Sequence, residues 1–177
     1  VGFARGATSM LEMAFVPDVL EPILTASKAV AMDQGVGFQI LPDELGSDLP
    51  GVRICPKALQ EAIANLLDNA IKYVILGDSN APTVSLTWRP NTSSNDESGV
   101  TIWIHDNGPG IPIHERDAIF QRGYRATNAR ERVPGSGIGL DISKSLITSM
   151  GGRLELVTTA GGGTTMQITL FRDPNNV

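Results

Sequence analysis

A chain of 177 residues, 41% apolar and 19% charged, is long enough to bury a core unaided and has the composition of one soluble globular domain. Its formal net charge of -5 argues against a general nucleic-acid-binding surface, and its single cysteine, Cys55, excludes an internal disulfide or a thiolate metal cluster and fits a reducing compartment. No apolar run approaches the length of a membrane span, no signal peptide is visible, and the start at Val1 without a Met reads as a piece excised from a longer protein.

Residues 1–11 carry no pattern and read as a linker remnant; the domain is expected over 12–171, followed by a polar tail at 172–177. Residues 12–16 are apolar enough for an edge strand. Asp18 and Glu21 resemble a helix-capping pair, with Pro22 expected early in the first turn. Leu20, Ile23, Leu24, Val30 and Ala31 then form a helical stripe that Gly35 stops. Strands are expected at 37–41 and 52–54, separated by a polar turn. Cys55, beside Pro56, reads as a small hydrophobe, since no neighbouring cation in sequence would activate its thiol.

The helix at 58–73 organises the chain. Leu59, Ile63, Leu66, Ala70 and Val74 recur at helical spacing and predict a buried stripe. Glu61, Asn65, Asn69 and Tyr73, each four apart, form a second stripe that is polar, bordered by Asp68 and Lys72. An Asp68–Lys72 salt bridge explains two of these residues. It leaves the asparagines unexplained, because asparagine is a poor mid-helix residue.

Beyond Gly77, a strand is expected at 83–88, a polar hairpin loop at 89–99 and a partner strand at 100–104. That strand runs into His105-Asp106-Asn107-Gly108-Pro109-Gly110-Ile111, where two glycines permit a tight turn and Asp106 can accept a hydrogen bond from a ligand seated on it. Strand alternation puts His105 on the opposite face as a spectator, and His114 has no metal-ligand spacing. Residues 111–133 are long, polar and rich in arginine, as a lid over a polyanion would be, with Ile119 and Phe120 as its apolar anchor. Gly135, Gly137 and Gly139 then precede a helix whose expected stripe is Ile138, Ile142, Leu146 and Met150; glycines before a helix let its N-terminus cradle a phosphate. Gly151-Gly152 stops that helix, and strands at 154–158 and 164–170 close the domain.

Four blocks carry a resemblance: Asn65-Leu66-Leu67-Asp68-Asn69-Ala70-Ile71-Lys72-Tyr73, Asp106-Asn107-Gly108-Pro109-Gly110-Ile111, Ile119-Phe120-Gln121-Arg122-Gly123-Tyr124-Arg125 and Gly135-Ser136-Gly137-Ile138-Gly139-Leu140. In this order they resemble the ATP-binding catalytic domain of sensor histidine kinases, a branch of the ATPases that include gyrase, the Hsp90 chaperones and MutL. The resemblance implies a Bergerat-type fold, an α/β two-layer sandwich with a mixed β-sheet covered by helices on one face. It implies ATP and Mg²⁺, with Asn65 as the metal ligand and Glu61 in general-base or metal-site work. Asn69 and Lys72 correspond to phosphate contacts and Tyr73 to a base or ribose contact. Asp106 corresponds to the acceptor of the adenine amino group and Thr164 to its hydroxyl neighbour. Gly108, Gly110 and Ile111 shape that pocket, while Arg125, Gly135, Gly137, Ile138, Gly139 and Leu140 belong to the phosphate side.

The implied partners are a phospho-accepting helical dimerisation domain and a response regulator, with no nucleic acid and no membrane contact by this domain. Departures are Gly123, where the family commonly has phenylalanine, Cys55, where aspartate is usual, and the absence of a phospho-accepting histidine hairpin. The 89–99 insertion suggests a eukaryotic or plastid-type relative of the bacterial kinases, and the expected compartment is cytoplasm or chloroplast stroma. The alternatives are a nucleotide-sensing pseudokinase and a gyrase-, chaperone- or MutL-type ATPase module.

Overall fold

The computed structural model describes residues 10–42, 48–91, 98–124, 139–157 and 161–172. Strand β1 (Glu12–Ala14) is followed by helix α1 (Val16–Asp33), β2 (Gly37–Pro42), β3 (Val52–Ile54), α2 (Pro56–Val74), β4 (Thr83–Asn91) and β5 (Gly99–Asp106). A 3₁₀ turn at Ile113–Glu115, helix α3 (Gly139–Ser149), β6 (Arg153–Val157) and β7 (Thr164–Phe171) complete it. Five strands form one mixed sheet in the order β2-β4-β5-β7-β6, in which only β2 and β4 run parallel. β1 and β3 pair separately as an antiparallel ribbon.

Strand alternation separates the two faces of the sheet. Val84, Leu86, Ile102, Ile104, Ile168 and Leu170 are buried on the helix-covered side. The opposite side carries polar ladders such as Trp103 Nε1–H donating to Gln167 Oε1 at 2.8 Å and His105 Nδ1 2.9 Å from Thr165 Oγ1. α2 is the central helix: it packs on α1, α3, β4 and β5. Contact on so many sides explains why its buried stripe is broad, comprising Leu59, Ala62, Ile63, Leu66, Leu67, Ala70, Ile71 and Val74. Each such large side chain, fully buried, stabilises the fold by roughly 1.5–3 kcal/mol before the entropy of ordering is subtracted.

Three expectations are corrected. α1 begins at Val16, after Phe15, with no side-chain cap, so Pro17 occupies the first turn and Pro22 lies inside the helix. The end of α1 is as expected: Gly35 N–H donates to Met32 O and Val36 N–H to Ala31 O, a closure of the last turn that buries Val36. The hairpin loop is shorter than 89–99, because Arg89, Pro90 and Asn91 pair with Thr101, Val100 and Gly99. In α3, Ser143 and Ile147 are buried and Ile142 is exposed, while Leu146 packs on the core and Met150, just past the helix, is buried as expected. The difference comes from a polar residue: Ser143 Oγ donates to Gly139 O at 2.8 Å and lies 3.3 Å from Ala62 O, tying α3 to α2. Residues 113–124, the start of the expected lid, form packed turns around buried Glu115 and Ile119, with Ile119 and Phe120 on the core as the expected anchor; 125–133 lie outside the described residues.

Candidate functional site

β5 delivers its last residue to the helix-covered face. Val100, Ile102 and Ile104 point inward at two-residue spacing, and Asp106 is the next position in that row, only 5% exposed. A carboxylate thus stands where the pattern would otherwise place a hydrophobe, opposite Val84 on one side and Thr164 on the other. Gly108 N–H donates to Asp106 Oδ1 at 3.0 Å. A side chain at Gly108 would meet that oxygen and Val74 Cα at 2.9 Å, so the turn fits against the end of α2 only with glycine. Burial pushes the Asp106 pKa up to about 6, although Gly108, nearby His105 and the backbone and hydroxyl of Thr164 favour its ionised form.

Asp106 opens onto a pocket. Leu66, Asn69, Ala70, Tyr73 and Leu76 line it from α2 and the turn that follows; Ile104, Thr164 and Met166 line it from the sheet. Pro109, Gly110, Ile111, Ile119 and Tyr124 contribute from the segment after β5, and Leu140 from α3. The interior is apolar with a few polar groups, the usual character of a site for a flat organic ligand with a polar edge.

At the other end, Asn69 abuts the first turn of α3: a Cβ on Gly139 would lie 3.6 Å from Asn69 Nδ2. An eleven-residue helix therefore presents its N-terminus beside a carboxamide, an arrangement suited to an anion.

Of the residues singled out from sequence, Asn69, Tyr73, Asp106, Gly110, Ile111, Leu140 and Thr164 line this pocket. Gly108 lies behind it as a close contact with the backbone of α2, and Gly139 lies beside Asn69. Glu61 and Asn65 continue the Asn69 row along α2 beyond the lining residues, Glu61 exposed and Asn65 half-buried. Lys72 is turned to Asp68, with Nζ 2.6 Å from Oδ2, and does not line the pocket. Arg125, Gly135, Gly137 and Ile138 lie outside the described residues.

A hard cation held with several waters fits Asn65 with Glu61 one turn away, and Glu61, Asn65 and Asn69 make no side-chain hydrogen bond to any described residue. Sequence reasoning missed the apolar walls and the Tyr124–Glu115 pair, in which the tyrosine hydroxyl donates to a buried carboxylate at 2.9 Å.

Residues 55–174 match the family model described as histidine kinase-, DNA gyrase B- and HSP90-like ATPase. A chloroplast sensor kinase of Phaeodactylum tricornutum is 49% identical over 119 residues, 64% of this chain and 20% of that protein. Sensor histidine kinase Hik2 of Synechocystis sp. is 32% identical over 158 residues, 89% of this chain and 33% of that protein. The chain therefore spans about a fifth to a third of the length of these curated relatives. Among solved structures, the mycobacterial sensor histidine kinase MprB superposes with a TM-score of 0.70 at 27% identity, covering 91% of this chain and 99% of that one. With the matched family model spanning well over half of the chain, and with a buried carboxylate facing a helix N-terminus across an apolar pocket, this protein belongs to the histidine kinase-, gyrase B- and HSP90-like ATPases.

Proposed function

We propose that this domain binds Mg-ATP and supplies its γ-phosphoryl group to a histidine on a helical phospho-accepting domain of the same protein, as the kinase branch of the family does. The observation that carries the reading is Asp106, a buried carboxylate at the floor of the apolar pocket, with Asn69 and the N-terminus of α3 at the other end. An adenine seated on the floor would donate its amino N–H to Asp106, with the Thr164 hydroxyl beside it. A pocket built to pair with that N–H discriminates against a base presenting a carbonyl there. Gly108, Gly110 and Ile111 shape the base site, and Tyr73 closes its base or ribose side.

The triphosphate would then extend towards Asn69 and Gly139, where backbone amides and the helix dipole favour negative charge. Asn65 would be the protein ligand of the magnesium ion, Glu61 one turn away would do general-base or metal-site work, and Asn69 would meet a phosphate. When bound, the ion neutralises charge on the transferring phosphoryl group. Lys72, released from its exposed partner Asp68, would reach a phosphate, and by resemblance Arg125, Gly135, Gly137 and Ile138 complete that side. In the transfer, an imidazole nitrogen of the acceptor histidine attacks the γ-phosphorus as the bond to the departing ADP oxygen breaks. This domain's part is to orient the nucleotide and exclude water from it.

A response regulator would receive the phosphoryl group next. Among the described residues, no helix is long and apolar enough to cross a membrane. Similarity to a chloroplast sensor kinase supports the plastid stroma over the cytoplasm as the compartment. The test is to incubate the full-length protein with γ-labelled ATP and Mg²⁺. Acid-labile, base-stable label on the protein, lost in Asp106→Ala and in Asn65→Ala, is expected; acid-stable label or none would overturn the reading.

A further inference from the structure

The 3₁₀ turn that follows Ile111 buries a second carboxylate, one the nucleotide reading leaves without a task. Glu115 is 4% exposed, yet it lies in the charged run His114-Glu115-Arg116-Asp117. Its Oε2 accepts the hydroxyl of Tyr124 at 2.9 Å, and its Oε1 lies 3.6 Å from Nε2 of the solvent-exposed His114. Tyr124 in turn lines the pocket beside Ile111 and Ile119. A carboxylate taken out of water needs such donors, and a hydrogen bond to a charged acceptor is stronger and more directional than one between neutral groups. The ten residues from Glu115 to Tyr124 are therefore closed into a loop by this bond, with Ile119 packed inside it.

We infer that Glu115 is a positioning residue for the nucleotide pocket: through the Tyr124 hydroxyl it fixes that ring as a pocket wall. The inference rests on the proposed nucleotide site, because its consequence is read in ligand affinity. Without the bond, the Tyr124 ring loses one of its restraints and is less well ordered before ligand binds, and that cost weakens affinity. Glu115→Gln keeps a carbonyl oxygen able to accept the hydroxyl and retains most of the effect.

The experiment is calorimetric titration of ATP with Mg²⁺ into wild type, Glu115→Gln, Glu115→Ala, Tyr124→Phe and the Glu115→Ala/Tyr124→Phe double variant, well below each melting temperature. Glu115→Ala and Tyr124→Phe are each expected to weaken binding about three- to tenfold, with Glu115→Gln near wild type and the double variant no weaker than the worse single one. Conservative Tyr124→Phe keeps the readout available even if Glu115→Ala does not fold. Lower melting temperatures with wild-type affinities, or fully additive losses, would overturn the inference. Wild-type protein that binds no ATP would instead overturn the nucleotide site on which it rests.

Discussion

Gly163 closes directly on the backbone of Asp106: a Cβ built on Gly163 would stand 1.9 Å from the Asp106 carbonyl oxygen. Gly163 also has φ +80° and leads into Thr164, the residue opposite Asp106 across the β5–β7 pair. The end of the last hairpin and the site carboxylate thus share one tight contact. Gly163→Ala should push β7 away from β5 there and destabilise the domain by about 3 kcal/mol or more, combining backbone strain with steric overlap. Gly161→Ala, at φ +91° but with open space around it, should cost only the strain, about 1–2 kcal/mol. Urea denaturation of both variants measures the difference, and equal costs would remove the close contact from the account.

Much of this architecture is written locally. Alternation fixes β4, β5 and β7, and the 3.6-residue period fixes α2, because each buries one continuous face. The same periodicity misled over part of α3, where one of the residues that face the core is a serine whose hydroxyl has found carbonyl partners. It failed at 89–91 for a related reason: Arg89, Pro90 and Asn91 look like loop, yet they are held by pairing with β5, and Thr101 Oγ1 bonds Asn91 Oδ1. The polar half of the site was legible because Asn69 and Asp106 are costly where they stand. Its apolar half was not, since Leu66, Leu76, Ile104 and Met166 look like ordinary core residues and meet only through tertiary contact. Glu115 was hidden among exposed charges, and no sequence period marks a carboxylate buried by a turn.

Asp106 should give the ligand-free domain an unusual pH dependence. Folded, it holds its proton up to about pH 6, while an unfolded aspartate releases its own near about 3.9. The associated stability is fully present below about pH 4 and is lost as the pH rises through about 6, a change of order 3 kcal/mol. Asp106→Asn, permanently neutral, should therefore melt at a higher temperature than wild type at pH 7.5 and lack this transition. Nucleotide binding should run the other way, because the adenine amino group prefers the ionised carboxylate: wild-type affinity falls as the pH drops through about 6. Asn at this position should weaken ATP tenfold or more. Parallel melting curves for both proteins from pH 4 to 8 would show that Asp106 carries no such burial cost.

Magnesium dependence should centre on Asn65. Glu61, Asn65 and Asn69 stand one helical turn apart on α2, and Asn69 already faces the N-terminus of α3. Asn65→Ala should abolish the tightening of ATP by Mg²⁺, whereas Asn65→Asp should keep cation binding and disturb phosphate geometry. Titrations with Mg²⁺ and with EDTA measure both. Unchanged Mg²⁺ dependence in Asn65→Ala would move the metal to other ligands.

Phe120 links the pocket wall to α3. Its neighbour Ile119 is buried in that wall, while the half-buried Phe120 ring packs against the core with the Lys144 ammonium 4.5 Å from its centroid. Phe120→Ala removes this packing and a cation–π contact worth about 0.5–1 kcal/mol at an exposed site. Because Ile119 and Tyr124 then lose their support, nucleotide affinity should fall although no phosphate contact has been touched. Each residue that must be ordered again on binding costs about 1–2 kcal/mol of backbone entropy, so loosening even one is equivalent to a roughly five- to thirtyfold loss. Phe120→Leu keeps an apolar anchor without the ring face and should retain most of the affinity. Hydrogen–deuterium exchange across 111–124 reads the cause: Phe120→Ala should exchange faster than wild type there, and a non-hydrolysable ATP analogue with Mg²⁺ should slow both. Faster exchange with unchanged affinity would separate this anchor from the nucleotide site, and unchanged exchange would show that Phe120 does not hold the segment at all.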